Sequence, residues 1–376
     1  MIRVLHAVSS TATSSGVMSM LMSYHRHLPD GIVFDYLAFT HREQTYDAEI
    51  ASLNGEVHYH VRPAFTQLFC DKTRSFFNEY CNRHAVDRLI LHCHPIYTSF
   101  FYSEYAHGSG FQKVIQHSHT STYSEKRLSN LRNGLLERFA GGRADAYAAC
   151  SHQAARLFKH VNTDEVFLVN NSIDFDRFTY SQGDARTIRS QWGIPEDAVV
   201  LGHIGRFSPQ KNHLFLLRVF QRLVTIDARP VVLLLVGDGP MMKEVQESAN
   251  RLNINAQIVF AGVQKDTAAF LSAMDLFCMP SSREGFGIAL IEAQASGLQC
   301  LVSDTIPVES DISGRVKRLP LSAGEYAWAE ALLEALRNIP GEDLSSYRRQ
   351  VSLNPGFRID NCVDKLMSFY GGLIDT

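Results

Sequence analysis

Short apolar segments alternate with amphipathic helical segments along most of the chain. Runs rich in β-branched and other apolar residues are typical of strands buried on both faces. They lie at 2–8, 32–39, 88–94, 113–117, 146–149 and 166–169, and again at 199–204, 231–236, 257–260, 276–279 and 299–302. Helical patterns lie between them, for example at 16–28, 67–84, 124–140, 214–225, 241–252 and 288–296. This alternation predicts parallel sheets with crossover helices, an α/β fold.

The strand pattern divides into two series. The first ends near residue 170, a polar stretch covers 170–195, and the second series begins near Ala198. A chain of 376 residues has room for two domains at about 100–200 residues each. We predict two Rossmann-like domains, residues 1–175 and 176–355, and a terminal helix within 356–376.

Composition narrows the range of functions. The apolar share is 45%, the charged share is 20%, and the net charge of −3 comes from mixed signs, which argues against a nucleic-acid-binding protein. Seven cysteines without C-x-x-C spacing predict reduced thiols in a cytosolic protein. The N-terminus lacks the apolar core of a signal peptide, and no apolar run approaches the roughly 18 residues of a membrane span. We therefore expect a cytoplasmic protein whose membrane association, if any, is peripheral at the inner face.

A pair of cations follows one predicted strand in the segment 202–212, GHIGRFSPQKN. Arg206 offers a planar fork and Lys211 a point charge, and two fixed cations at a strand end can hold a diphosphate. The spacing alone also fits a solvated loop with two ordinary basic residues.

The segment 280–297, PSSREGFGIALIEAQASG, is the most informative one. A helix begins near its second glycine, and the amides at a helix start can hold an anion. Glu292 falls in a helix that is apolar nearly all round, where a carboxylate needs a partner and can accept two ribose hydroxyls, although an exposed helical glutamate is the ordinary alternative. Glu284 lies in the loop and can accept sugar hydroxyls. The donor contacts expected here are Glu284, Gly285, Phe286, Gly287, Ile288 and Glu292.

Two further loops contain glycines that can approach a ligand. The segment 236–241, VGDGPM, predicts a close backbone approach at Gly239, but Met242 departs from a G-x-G-x-x-G fingerprint and a simple strand–helix turn explains it equally well. The N-terminal loop SSTATSSG ends in a single glycine, Gly16. Neither loop gives more than weak support to a nicotinamide cofactor.

Histidines cluster at the ends of two predicted strands. His117 and His119 end one strand, and His92 and His94 end its expected neighbour. We expect His119 to project into a cleft and bind a sugar or orient an attacking hydroxyl, although a lone histidine is more often structural. Four close histidines make a zinc site conceivable, but no cysteine or carboxylate completes a ligand set, so we predict no metal.

Taken in order, these segments resemble the family-4 glycosyltransferases of the GT-B fold along nearly the whole chain. The matching motifs are G-R-x4-K-N at 205–212, V-G-D-G-P at 236–240, E-G-F-G-x4-E at 284–292, the histidine loop at 119–122, and a strand running into a helix-capping serine at 145–151. The chain departs from the family where the double-glycine loop is Ser15-Gly16, where N-G-I-D is N-S-I-D at 171–174, and where G-x-P is G-L-Q at 297–299. The segment 303–307 is similar to that of bacterial capsule and exopolysaccharide members.

The resemblance implies two Rossmann-like domains whose parallel sheets face each other across a cleft. It implies an acceptor-binding first domain, a second domain that binds the nucleotide sugar, and a last helix that crosses back onto the first. Transfer would retain the anomeric configuration without an essential metal or cofactor, and UDP is the commonest nucleotide. Arg206 and Lys211 would neutralise the diphosphate, and His119 would steady the sugar from the other domain. The partners implied are a nucleotide sugar and a glycan or lipid-linked acceptor in surface polysaccharide synthesis.

Several alternatives stay open from the sequence. The leucine-rich segment between Lys126 and Arg143 has five basic residues, and it fits either a helix resting on anionic lipid or a solvated helix packed by its leucines. A UDP-GlcNAc epimerase or hydrolase of the GT-B fold and a non-catalytic sugar-nucleotide-binding protein are the rival functions. A nicotinamide dehydrogenase is the weakest rival.

Overall fold

The computed structural model describes residues 1–13, 15–42, 44–60, 71–95, 98–119, 134, 143–227, 229–339 and 344–375. The chain forms two compact units. The first comprises Met1–Ser172 and Gly356–Thr376, and the second comprises Ile173–Pro355. The predicted polar stretch at 170–195 therefore contributes mainly to the second unit, where it forms two helices.

The first unit is built on a seven-stranded parallel sheet with the order β3-β2-β1-β4-β5-β6-β7. Its strands are β1 Ile2–Val8, β2 Ile32–Ala38, β3 Val57–Tyr59, β4 Arg88–Cys93, β5 Lys113–Ser118, β6 Ala146–Ala149 and β7 Phe167–Leu168. Its helices are α1 Gly16–His25, α2 Asp47–Ser52, α3 Asp71–Arg83, α4 Thr98–Ser109 and α5 His152–Ala155, joined by the C-terminal helix α14 Ile359–Ile374. The order reverses between β1 and β4, where a parallel sheet opens a crevice at its carboxyl edge.

The two faces of the first sheet differ in chemistry. Leu5 and Ala7 of β1 belong to an aromatic-rich core cluster with Phe77 and Tyr102 of the helices. Successive side chains of a strand point to opposite faces, so His6 points away from that core. One face of the sheet is thus apolar, and the other face is free to hold polar side chains.

Helix α14 completes the first unit from the far end of the sequence. Its Tyr370 is fully buried, and the phenol oxygen lies 2.8 Å from Nδ1 of His92 on β4. Asn170 Nδ2 donates to the Gly356 carbonyl at 2.9 Å, just before the helix. These contacts make the last helix a structural part of the first unit.

The second unit is built on a six-stranded parallel sheet with the order β10-β9-β8-β11-β12-β13. Its strands are β8 Val199–Ile204, β9 Val231–Val236, β10 Ile258–Gly262, β11 Leu276–Met279, β12 Gln299–Ser303 and β13 Val316–Leu319. Its helices are α6 Phe175–Phe178, α7 Gln182–Gln191, α8 His213–Ile226, α9 Met242–Arg251, α10 Thr267–Ala273, α11 Ile288–Ala295, α12 Gly324–Arg337 and α13 Leu344–Arg349. Leu201, Leu233 and Leu276 from three central strands pack in one core with Trp328 of α12. Two parallel Rossmann-like sheets confirm the predicted fold class.

The predicted strands all coincide with observed strands, and the unpredicted ones lie at sheet edges. Strand β3 has three residues, and β13 reads Val-Lys-Arg-Leu, so neither shows a continuous apolar run. The predicted helix at 67–84 is observed as Asp71–Arg83, and residues 67–70 lie outside the described residues. The predicted helix at 124–140 also lies outside them except for residue 134, as does the basic segment around it except for residues 134 and 143. The cysteines in the described residues are free and buried, as predicted, and Cys70 lies outside them. No described helix is long and apolar enough to cross a bilayer.

Candidate functional site: a diphosphate-sugar site in the second unit

The second sheet reverses its strand order between β8 and β11. Ligands of open parallel sheets bind at the carboxyl edge beside such a reversal. The loop after β8 carries Arg206 and Lys211, and the loop after β11 carries Glu284. The topology therefore brings two separately predicted motifs to the same place.

Hydrogen bonds and an ion pair tie these two loops together. The Ser282 amide donates to the Gln210 carbonyl at 2.8 Å, and Gln210 Nε2 donates to the Arg283 carbonyl at 2.6 Å. Lys211 Nζ lies 2.7 Å from Glu284 Oε1, and both side chains are largely removed from solvent. A lysine and a glutamate that the sequence predicted for different parts of the donor are thus one ion pair.

The exposed Arg206 is anchored by the residue next to it. Phe207 is fully buried, and its amide donates to the Asp238 carbonyl at 2.9 Å. The Arg206 guanidinium has no ion-pair partner among the described residues, whereas Lys211 has one. The loop therefore presents one unpaired cation on a fixed backbone.

The glycines of the turn after β9 fit the backbone of the Arg206 loop. A Cβ on Gly237, whose φ is 131°, would stand 2.1 Å from the Gly205 carbonyl oxygen. A Cβ on Gly239 would stand 2.5 Å from the Phe207 carbonyl oxygen. Close backbone packing thus accounts for both glycines, and a contact of Gly239 with the donor stays a prediction.

Helix α11 begins at the end of the Glu284 loop. Gly287 precedes it with a φ of 89°, and a Cβ there would stand 3.0 Å from Met279 Cε. The amides of Leu290 and Ile291 donate to the Gly287 carbonyl. The amides of Ile288 and Ala289, in the same first turn, have no acceptor within an α-helix, so they are the groups available to an anion.

Glu292 and Gln294 are both buried in helix α11, but only one of them is bonded. Gln294 donates to the carbonyls of Leu290 and Ser310 and accepts from the amide of Ile312. The Glu292 carboxylate has no hydrogen-bond donor among the described residues. Burial raises the pKa of Glu292 to about 7, and the charge of Arg177 offsets part of that shift. The helix was predicted to be apolar nearly all round, and within the described part of the chain its glutamate has no partner.

Sequence reasoning missed the buried residues that bond to the backbone of the Glu284 loop and of strand β11. The Ser281 carbonyl at the start of the Glu284 loop accepts hydrogen bonds from the hydroxyls of Ser303 and Thr305, at 2.5 and 3.0 Å. His203 on β8 is fully buried, and its Nδ1 lies 2.8 Å from the Cys278 carbonyl oxygen, which can only accept. Hydroxyls directly after a predicted strand, in S-D-T at 303–305, were the signal that could have identified the first pair.

The first unit gathers five histidines on one face of its sheet. His6 on β1 joins His92, His94, His117 and His119, which lie on or directly after β4 and β5. In two groups of three, one nitrogen from each ring lies within 4.8 Å of the others: His6, His92 and His94, and His94, His117 and His119. The sequence predicted that four histidines are close, and it missed His6.

The remaining predicted positions also lie in the first unit. His119 is partly exposed, and its Nε2 lies 2.7 Å from Nδ1 of His94. Gly16 opens helix α1 behind the Ser15 cap. Ser151 caps helix α5 by accepting from the Ala154 amide, as the sequence indicated. The roles of His119 and Gly16 toward a donor stay predictions.

Residues 184–343 match the model of the family described as glycosyl transferases group 1. Along 98% of its length the chain is 30% identical to the putative glycosyltransferase EpsF of Bacillus subtilis, 96% of which is covered. The chain belongs to the glycosyl transferases group 1 family. This glycosyltransferase is also 28% identical, over 57% of each chain, to the UDP-Gal:alpha-D-GlcNAc-diphosphoundecaprenol alpha-1,3-galactosyltransferase of Escherichia coli.

Solved structures share the fold of this glycosyltransferase over its whole length. Anabaena Alr3699/HepE, crystallised in complex with UDP and glucose, superposes with a TM-score of 0.80 at 16% identity and covers 99% of this chain and all of its own. WaaG, a glycosyltransferase involved in lipopolysaccharide biosynthesis, gives a TM-score of 0.72 at 15% identity, with 96% and 98% covered. The similarity to these structures confirms the predicted GT-B fold, and the identity to EpsF over nearly the whole chain confirms the assignment as a transferase.

Proposed function

We propose that this chain is a retaining family-4 glycosyltransferase that moves a sugar from a nucleotide diphosphate, UDP in the first instance, to a glycan or lipid-linked acceptor in surface polysaccharide synthesis. The observation that carries the donor assignment is the second-unit site, where the Lys211–Glu284 ion pair joins the loops after β8 and β11, and the second loop leads directly into helix α11 with Glu292. Each part matches the chemistry of a different part of a nucleotide sugar. The similarity to HepE, whose crystals contain UDP and glucose, supports a UDP-sugar.

The Lys211–Glu284 ion pair joins phosphate recognition to sugar recognition. A lysine has three N–H donors and uses one on Glu284, which leaves two for phosphate oxygens. The carboxylate of Glu284 uses Oε1 on the lysine, which leaves Oε2 for sugar hydroxyls. The pair therefore needs no rearrangement to bind both halves of a sugar diphosphate.

Glu292 supplies the recognition of the ribose. Two adjacent ribose hydroxyls can donate to its two carboxylate oxygens, which lack donors among the described residues. Binding would replace an unpaired buried carboxylate by a bonded one, and burial without a partner is the costly state. The side-chain amide of Gln294, on the same helix, has its hydrogen-bond partners within the protein, as expected of a polar residue with a structural role.

The transfer step follows from these positions. The acceptor hydroxyl attacks the anomeric carbon from the face that the diphosphate leaves, the bond from that carbon to the β-phosphate oxygen breaks, and a β-phosphate oxygen takes the hydroxyl proton. Arg206, Lys211 and the amides of Ile288 and Ala289 stabilise the negative charge that grows on the diphosphate. Preorganised donors of this kind commonly contribute about 2–4 kcal/mol each to a barrier. The chemistry of the donor set needs no metal ion.

The test compares matched ion pairs of the same unit. Lys211→Met and Glu284→Gln are expected to lower kcat/KM by about 10²–10³ each. Lys317→Met, which breaks an exposed Lys317–Glu334 pair, is expected to leave turnover unchanged. The donor is first chosen by thermal shift with a panel of UDP- and GDP-sugars, since a ligand at 100 times its Kd adds about 2.7 kcal/mol of stability.

Product analysis distinguishes this proposal from its rivals. A new glycosidic bond with retained configuration supports it. Free sugar or a free epimer would identify a hydrolase or epimerase, and tight nucleotide binding without any turnover would identify a non-catalytic binding protein. Equal turnover in Lys211→Met and Lys317→Met would contradict the donor site itself.

A further inference from the structure

The five clustered histidines of the first unit lie on three adjacent parallel strands or directly after them. His6 lies opposite His92 in the register of β1 and β4, and Cys93 lies opposite Gln116 in the register of β4 and β5. His92 and His94 are two residues apart, so both point to the face that His6 occupies. Histidines two apart on one strand, with a third on its neighbour, bring three imidazoles round a common point.

We propose that His6, His92 and His94 form a binding site for a divalent transition-metal ion, zinc foremost, that stabilises the first unit. All three side chains are at least nine-tenths buried. The ligand atoms assigned to the ion are Nδ1 of His6, Nε2 of His92 and Nε2 of His94, and a solvent-derived oxygen completes a tetrahedral set. His92 Nε2 lies 3.1 Å from Nδ1 of His117, and the ion would replace that contact. Three neutral histidines and one oxygen are a known way to hold zinc.

The spacing of the rings suits an ion better in this group than in the alternative one. Ligand nitrogens about 2.0–2.1 Å from a tetrahedral zinc lie about 3.3 Å apart, with ring centres about 5 Å apart. The ring centres of the proposed ligands are 5.1, 5.2 and 4.6 Å apart, and Nδ1 of His6 lies 2.9 Å from Nε2 of His94. In the alternative group the ring centres of His117 and His119 are 3.9 Å apart, further from the value of about 5 Å expected round one ion than any pair in the proposed group. Near-parallel rings occur in both groups, at 25° for His117 and His119 and at 17° for His92 and His94, so the distance and not the ring angle distinguishes them.

The second nitrogens of two ligands are already held by acceptors. His92 Nδ1 lies 2.8 Å from the Tyr370 hydroxyl, and His94 Nδ1 lies 2.7 Å from Nε2 of His119. Such outer contacts fix the tautomer of a ligating histidine, so that its other nitrogen presents a lone pair to the metal. Tyr370 belongs to helix α14, so the ion would link the C-terminal helix to the central strands through His92.

The proton balance also closes. Without metal, His6 and His94 share one proton across their 2.9 Å contact. Binding requires a lone pair on both nitrogens, which is met when His6 carries its proton on Nε2, a buried nitrogen that has no partner in the described residues. His92 and His94 then carry theirs on Nδ1. His117, which donates from Nδ1 to His92 Nε2 without metal, keeps its proton and gives up that contact, so no proton leaves the protein.

The direct test uses the full chain without an affinity tag, stripped with a chelator and titrated with Co²⁺ and Zn²⁺. One equivalent of Co²⁺ with the visible bands of a tetrahedral nitrogen-rich site, displaced by Zn²⁺, is expected for the wild type. Loss of an outer contact to a metal ligand lowers affinity by up to about 100-fold. His94→Gln removes a ligand itself, so it should lower the affinity for Co²⁺ by at least that factor. His25→Gln, a buried histidine of the same unit outside both groups, should leave the affinity unchanged.

Tyr370→Phe keeps the result interpretable if His94→Gln fails to fold. It removes only the outer hydroxyl and should weaken Co²⁺ binding about 10–100-fold. Absence of stoichiometric binding by folded wild-type protein, or equal affinity in His94→Gln and wild type, would overturn the proposal and leave the cluster a hydrogen-bonded histidine network. Because the titration uses no nucleotide sugar, its result is independent of the donor assignment.

Discussion

Glu292 makes donor binding depend on pH, and the size of the effect follows from its burial. The pKa of about 7 in the free protein lies roughly 2.5 units above the ordinary value of 4.5. If two ribose hydroxyls restore the ordinary pKa, the donor binds the ionised form of Glu292 more tightly than the protonated form by about 3.4 kcal/mol, at 1.36 kcal/mol per pKa unit. Affinity for the donor should therefore fall about tenfold for each pH unit below about 7, and binding at about pH 6 should release close to one proton.

Calorimetry in buffers of different ionisation enthalpy measures that proton. The ligand should be an intact nucleotide sugar and not the free diphosphate, whose terminal phosphate also titrates near neutrality. Glu292→Gln serves as the control, since it keeps the shape of the side chain and removes the titrating group. Wild-type binding without proton release at about pH 6, or equal release in Glu292→Gln, would refute the role of this carboxylate.

The same shift has an opposite consequence for stability. A carboxyl whose pKa is raised by folding contributes stability below its unfolded value of 4.5, and that contribution is lost as the pH rises through about 7. At about pH 8, Glu292→Gln should therefore raise the free energy of unfolding, by up to about 3 kcal/mol, while it weakens donor binding. Denaturant unfolding of both proteins at about pH 4.5 and 8 measures the difference, and a destabilised Glu292→Gln at the higher pH would contradict the reasoning.

Two further predictions concern stability and loop packing, each with a matched control. Arg348 is buried and bonded to the carbonyls that end two helices. Arg348→Met should therefore lower the free energy of unfolding by about 3–5 kcal/mol in thermal unfolding, and Arg349→Met, at a less buried position, by at most about 1. Equal losses in the two variants would contradict this reasoning. Gly237→Ala should shift the Arg206 loop and weaken donor binding, because its Cβ would overlap the Gly205 carbonyl, whereas Gly262→Ala, also at positive φ but in open space, should leave binding unchanged.

The sequence predicted the central strands and the motifs at their ends because both depend on local pattern. Strands buried on both faces read as continuous apolar runs, and ligand-binding loops of parallel sheets directly follow them. The edge strand Val316–Leu319 contains two charged residues and could not be recognised in that way. Residues 175–191 read as a polar connection because their helices bury few side chains, such as Ala185 and Ile188.

The contacts between distant segments could not be predicted from pattern. Lys211 and Glu284 were assigned separately to phosphate and sugar. They form one ion pair because β8 and β11 are adjacent in the sheet, which the sequence does not show. Gly239 was read as a ligand contact or a turn, and the reason for it is the backbone of Phe207, in another loop. His6 was not singled out, because a single histidine in an apolar run gives no signal until β1 lies beside β4.

Buried polar groups of this chain fall into two kinds, and the difference separates architecture from function. Arg348 and Gln294 are surrounded by protein acceptors and donors that satisfy them, so removing either should cost stability. Glu292 is 9% exposed, and its carboxylate has no donor among the described residues. An unsatisfied buried group is costly to the free protein and persists where something outside the chain completes it. For Glu292 we assign that completion to a ribose.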